Sequence, residues 1–570
     1  MKKLITLLLL LSFAPGLQAQ DKWSKARSSI VLLHNGDRMI PLVNPEEGRI
    51  AVISAERSRM FDSIAGKYAP VASFSISNDW DDMNDRLKLY RHIIVRLSPQ
   101  TIFTRPLLDF IRERRAIVVI PGSRASLAYL QQVSTPVIWY PEDTPEGASA
   151  AAQAIFGGIA TPQSKKTRLG YAAPETHGMA ADSLARIDDI MAAAIAGRAT
   201  PGGVVLVVKD GDVVFEKAWG HQTYSGTRAV RTDDLYDLAS VTKIAATTPA
   251  VMKLYDEGRL SLQSPVSRYV ARARTISDKK DIRIREALLH EAGYTPYIKH
   301  FEKLLPQDLS TDSSASYPVK VADGYYLRAG YFEEVMWPAT LASPVLTRGK
   351  FVYSDVSMYM LREVIEKIVH RPMNEYLHDM LYRPLGLQTT GFLPRNRFDS
   401  TRIVPTTEND SWFRNMQLRG YAHDPGAAMA GGVSGHAGLF SDANDLAILY
   451  QMFLNQGVYG GKRYFKPATV ALFTSRQSTV SHRGLGFDRP DPEKKYPSAY
   501  ASSLSYGHSG YTGTFVWVDP SSKMICIILT NRVYPEVTDN VNTLLRLNTR
   551  GLILDQVYRS TGKKNNSSTK

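Results

Sequence analysis

A serine and a lysine three residues apart, Ser240 and Lys243, stand in the run Tyr236-Asp237-Leu238-Ala239-Ser240-Val241-Thr242-Lys243. The run opens a segment of helical character, and positions i and i+3 share a helix face, so the ammonium is expected beside the hydroxyl. A hydroxyl is a weak nucleophile until a neighbouring base or a desolvated lysine draws off its proton, and this spacing supplies that neighbour locally. The same residues also read as an ordinary helix start, with Ser240 as N-cap and Lys243 in solvent. Two later elements weigh on the choice: Tyr353-Ser354-Asp355 and then His508-Ser509-Gly510.

In order and spacing these three elements resemble the Ser-x-x-Lys, Tyr-x-Asn and Lys/His-x-Gly series of the serine β-lactamase and penicillin-binding protein superfamily, in the branch of class C β-lactamases, D-alanyl-D-alanine carboxypeptidases, esterases and amidases. Leu288 to Tyr294, Gly435 to Ser441 and Leu529 to Pro535 are similar to further stretches of that family, so the resemblance covers roughly residues 175 to 560. It implies Ser240 as the nucleophile of an acyl-enzyme, with Lys243 keeping the hydroxyl acidic and sharing its proton. It implies Tyr353 as a second acid/base, a phenol whose pKa an adjacent cation can lower. The N–H groups of Ser240 and Tyr511 would form the oxyanion hole, and Gly510 would let the strand backbone approach substrate.

Two positions depart from the antibiotic-hydrolysing pattern. Asp355 replaces an amide that can donate with a carboxylate that can only accept. It is read either as the holder of Lys243 by a salt bridge or as the receiver of a cationic substrate group. His508 stands where a lysine meets the substrate carboxylate, a substitution that looks more like the peptidases, esterases and amidases. The substrate-binding set is therefore Asp355, His508, Ser509, Gly510 and Tyr511. Trp412, Tyr421, His423 and Asp424 are expected near the mouth of the site, His423 and Asp424 as substrate contacts or as a loop-stabilising pair.

Other chemistries fail on composition or spacing. Gly507 to Tyr511 and Gly432 to His436 both lack the final glycine of a nucleophile elbow. His290-Glu291 begins like a zincin, but Tyr294 stands where the second histidine is needed. The other histidines lack ligand spacing, and a single cysteine, Cys526 in an apolar run, cannot build a disulfide framework. No metal and no cofactor is expected.

The elements that must hold these residues read as two units. The chain has 570 residues, 44% of them hydrophobic, enough for two substantial cores. Met1-Lys2-Lys3, an apolar stretch and Leu17-Gln18-Ala19 have the form of a secretory signal over 1–20, and no later run is long enough to span a membrane. Residues 21–165 read as an α/β domain with buried parallel strands at Ile50, Ile93, Ile117 and Val137, and an Ala-rich helix from Ser149 to Phe156. Residues 175–560 read as an antiparallel sheet, made of N- and C-terminal strands around a helical insertion. In it Ser183 to Ala196 is helix-like and Asp210-Gly211 marks a hairpin. Residues 159–167 suit an exposed linker and 561–570 a disordered tail. The fold class is α/β plus α+β.

Ser28 to Leu42 and Ala150 to Gly158 are similar to the start and end of the C-terminal α/β sandwich of family-three glycoside hydrolases, without the barrel that carries their nucleophile. The first domain is therefore expected to be non-catalytic. Together the resemblances imply a secreted, periplasmic serine hydrolase of peptidoglycan amides, a D-alanyl-D-alanine carboxypeptidase or an N-acetylmuramoyl-L-alanine amidase. A carboxylesterase, a weak β-lactamase and a non-catalytic wall-fragment binder stay open. Expected partners are peptidoglycan fragments or small acyl substrates. The formal charge of +14 is spread along the chain, which argues against nucleic acid.

Overall fold

The computed structural model describes residues 15–77, 79–537 and 542–563, so most of the expected signal and tail lies outside the described residues. Two six-stranded sheets organise the chain. The first takes β1 (Val31–Leu33), β2 (Ile50–Ser54), β3 (Val71–Ser75), β4 (His92–Arg96), β5 (Ile117–Pro121) and β6 (Val137–Tyr140) in the order 1-6-5-4-2-3. All neighbours are parallel except β1 with β6. The β-branched runs are apolar on both faces because both faces are covered. Val52, Ile94, Val119 and Ile138 pack on α2 (Arg59–Gly66) and α5 (Pro145–Phe156), while Ile53, Val95, Val118 and Ile120 pack on α3 (Trp80–Leu87) and α4 (Arg105–Glu113). Gly157 at φ 81° ends α5 in the left-handed conformation that glycine reaches without penalty.

The second sheet joins β7 (Gly170–Tyr171), β8 (Gly202–Lys209) and β9 (Asp212–Gly220) to β10 (Tyr506–Ser509), β11 (Phe515–Asp519) and β12 (Met524–Thr530), in the order 10-11-12-8-9-7. The Asp210-Gly211 turn closes the β8/β9 hairpin, and β12 pairs β8 from Met524↔Lys209 to Thr530↔Gly203. Cys526 is buried in β12. The expected helix over 183–196 is two, α6 (Ala181–Ala185) and α7 (Ile187–Ala196). With α11 (Thr549–Ser560), α7 covers one face of this sheet; α8 (Thr248–Asp256) and α10 (Ala443–Leu454) cover the other. Between β9 and β10 lies a mainly helical insertion that includes α9 (Val356–Val369).

The first sheet's α2 and α5 face and the second sheet's α8 and α10 face share one continuous apolar cluster. Between them Tyr68 donates to Leu169 O at 2.7 Å, and Asp212 receives Arg27, Lys166 and His177. Among the described residues no helix is long and apolar enough to cross a membrane.

Candidate active site

The turn that carries Ser240 is backbone held against its own preference. Ala239 sits at φ 45°, a left-handed position that costs a residue with a Cβ. What over-determines it is the buried Asp237 carboxylate, which accepts Ala239 N–H at 2.8 Å and His423 N–H at 2.7 Å. Burial pushes this carboxyl up to about 6, against the pull of those two donors. Thr512 and Thr514 donate to Asp237 O and Leu238 O at 2.7 and 2.8 Å, fixing the turn to the β10/β11 end of the sheet. A Cβ on Gly510 would lie 2.5 Å from Leu238 O, so this glycine serves the close approach of the turn to the strand.

Ser240 and Val241 form a 3₁₀ turn, and Lys243–Thr247 widens into a π turn before α8 begins. Pro249 explains the widening. It has no N–H to give to Ala245 O, and the Tyr382 hydroxyl takes that carbonyl instead at 2.9 Å. A turn of π-helix thus precedes Pro249, and at its start Lys243 Nζ lies 2.8 Å from Ser240 Oγ. Lys243 is 0% exposed; its ammonium also donates to His436 O at 3.1 Å and lies 2.7 Å from Asp355 Oδ1. Burial alone would lower its pKa, but Asp355 and Tyr353 outweigh that and hold it above the ordinary lysine value. Tyr353 OH reaches Ser240 Oγ at 3.0 Å from the other side. Two sequence-distant segments therefore meet at one hydroxyl, and a solvated helix start is not what forms.

A cavity of about 610 Å³ opens over Ser240. Tyr353, Asp355 and Tyr511 line it with Tyr297, Trp412 and Asp424, and every lining residue comes from the segment between 239 and 511. Tyr511 and Trp412 are 43% and 44% exposed at its mouth and lean toward His423, with ring centroids 6.0 Å from it. His423 and Asp424 do not pair with each other. Asp424 accepts His436 Nε2–H at 2.6 Å and Ala427 N–H at 2.8 Å, and these partners counter burial to hold Asp424 down at about 2. Ligand atoms of Asp355, Asp424 and His436 lie within 4.8 Å of one another, but the Lys243 ammonium already supplies the positive charge at Asp355.

The structure places Ser240, Lys243, Tyr353, Asp355 and Tyr511 together and sets His508, Ser509 and Gly510 back from the cavity lining. His508 is 4% exposed, and its Nδ1–H donates to Ser509 O at 2.7 Å. Burial, with Arg483 and Lys243 nearby, pushes it down to about 3, so the ring is neutral. His290 is likewise buried and held well below its ordinary value by burial first and then Arg483. Its Nδ1 accepts Ser354 N–H at 3.1 Å, which sets the Tyr353 segment, and its ring lies 4.5 Å from that of Tyr353.

Residues 187–550 match the family model described as Beta-lactamase. A protein of Salmonella gallinarum named "Putative D-alanyl-D-alanine carboxypeptidase" is 34% identical over 424 residues, 69% of this chain and 94% of that protein. A protein of the same name from Salmonella typhimurium is 33% identical over the same shares. The solved structure of an octameric penicillin-binding protein homologue from Pyrococcus abyssi aligns with 66% of this chain and 79% of that one, at 20% identity and a TM-score of 0.48.

Proposed function

The chain belongs to the β-lactamase family and is a serine hydrolase, and on that premise we propose that it removes the terminal D-alanine of peptidoglycan stem peptides through an acyl-enzyme on Ser240. The observation that carries this reading is the single hydroxyl held by Lys243 Nζ at 2.8 Å and Tyr353 OH at 3.0 Å at the base of the cavity. The names of the relatives direct it to the D-alanyl-D-alanine bond rather than to the muramoyl-L-alanine bond.

In this reading Ser240 Oγ attacks the carbonyl of the penultimate residue while its proton passes to the Tyr353 oxygen. The Lys243 ammonium, held charged by Asp355, stabilises both the Tyr353 phenolate that takes this proton and the negative charge that gathers on Oγ as the proton leaves. The N–H groups of Ser240 and Tyr511 receive the carbonyl oxygen as it becomes an oxyanion. Tyr353 returns the proton to the departing D-alanine amine, and water then releases the peptide. The first sheet contributes no lining residue and acts as a support for the hydrolase unit, and the signal-like N-terminus supports an envelope location.

Incubation with purified pentapeptide muropeptides, followed by mass analysis of products, tests the proposal. Release of D-alanine that stops in Ser240→Ala supports it. Cleavage between muramic acid and L-alanine would replace it with the amidase reading. Intact muropeptides alongside rapid turnover of short acyl esters would replace it with the esterase reading.

A further inference from the structure

Arg483 belongs to none of the motifs that the sequence singles out, yet it is buried next to the reacting groups. Its side chain is 4% exposed, and the guanidinium carbon lies 5.9 Å from the centre of the Tyr353 ring. One arm donates to Gly486 O at 3.2 Å, Asp488 Oδ1 stands 3.6 Å from the other, and Nε has no partner. Asp488 is shared, accepting from His482 Nε2 at 2.9 Å and Tyr496 OH at 2.9 Å. Its backbone exchanges hydrogen bonds with Gly507, so the loop that bears Arg483 is tied to the strand that bears His508.

The groups that face Tyr353 come from five segments. Lys243 Nζ lies 5.0 Å from its ring centre and is paired with Asp355, two residues further along the Tyr353 segment. His290 and His508 flank the ring at 4.5 and 6.0 Å, and both are buried with an unpartnered Nε2. Arg483 is the remaining full charge. A buried positive charge at this range favours an anion forming on the neighbouring ring's oxygen, because little water screens it. His508, on the strand beside the ring, is neutral.

We infer that Arg483 is a positioning residue of the hydrolysis, supplying beside Tyr353 a second positive charge in addition to that of Lys243. This rests on the reading of Tyr353 as the proton acceptor. A phenol that must ionise to act gives kcat/KM an acid limb, and a nearby cation lowers that limb.

The test is the pH profile of kcat/KM for D-alanine release by the full chain, wild type against Arg483→Met, Arg483→Gln and Arg483→Lys, with Tyr353→Phe as reference. Two neutral replacements are used because Met leaves Asp488 without its cation, whereas Gln keeps a donor for Gly486 O. The acid limb is expected to move up by about one unit in whichever neutral variant folds and to stay within about 0.3 unit of wild type in Arg483→Lys. An unmoved limb in the neutral variants, with Tyr353→Phe inactive, overturns the role of Arg483 alone. A fully active Tyr353→Phe overturns the role of Tyr353, and the inference with it.

Discussion

Two carboxylates in this molecule hold cations, Asp212 buried and Asp355 partly exposed, and they are satisfied to different degrees. Asp212, between the two sheets, takes Arg27 at 2.8 and 2.9 Å, Lys166 at 2.7 Å and His177 at 2.7 Å. Asp355, at the cavity, has one cation, Lys243 at 2.7 Å, and its Oδ1 makes no aligned hydrogen bond. A saturated carboxylate locks two elements and leaves nothing over for chemistry. An ion pair short of saturation keeps the ammonium charged and still leaves an N–H for Ser240. The difference separates a structural knot from a reactive one built of the same residue types.

Removing groups from the two knots should therefore have opposite signatures. Ser240→Ala is the largest: turnover of any acyl substrate should fall by about 10⁴-fold or more with little change in melting temperature, read by steady-state kinetics and thermal unfolding. Lys243→Met should cost about 10³-fold in kcat and also destabilise by about 1 to 2 kcal/mol, because the partly buried Asp355 is left without its cation. In Lys243→Met with Asp355→Asn the stability should largely return and the activity should not, which denaturant unfolding and kinetics resolve.

Asp212→Asn should do the converse, destabilising by about 3 kcal/mol while kcat of the folded enzyme stays within about twofold of wild type. The pH dependence follows from the same knot. Burial would raise the Asp212 carboxyl, but His177, Arg27 and Lys166 hold it well below the carboxylate range. A depressed folded value means the contribution is complete above the unfolded value of about 3.9 and is lost as pH falls through the acid range below it. Wild type should thus lose stability between about pH 4 and 2 more steeply than Asp212→Asn, as urea midpoints would show. The smallest effect is Val119→Ala in the first sheet, about 1 to 2 kcal/mol of stability and no change in kcat.

How far these regions can be read from sequence differs for a physical reason. Buried strands announce themselves because apolar burial is a property of each residue, and β2, β4, β5 and β6 stand where Ile50, Ile93, Ile117 and Val137 lead one to look. β3 does not, since Val71-Ala72-Ser73-Phe74-Ser75 is an edge strand in which two of five residues are serines. The Ser240 and Lys243 contact is legible because one local turn makes it. Asp424 is harder: its neighbour His423 looks like a partner, yet its side chain goes to His436 across the Gly431-Gly432 turn. A buried charge is stable only with partners that arrive from elsewhere in the chain, so Arg483 reads as an ordinary polar loop residue until the fold closes around it.

The most direct test of the central claim is intact-mass spectrometry of the enzyme quenched during turnover of a D-alanyl-D-alanine peptide, wild type beside Ser240→Ala. The account predicts a transient adduct with the mass of the acyl peptide lacking its terminal D-alanine, mapped by digestion to Ser240 and absent from the variant. Release of D-alanine by Ser240→Ala at the wild-type rate, or an adduct on any other residue, would contradict it.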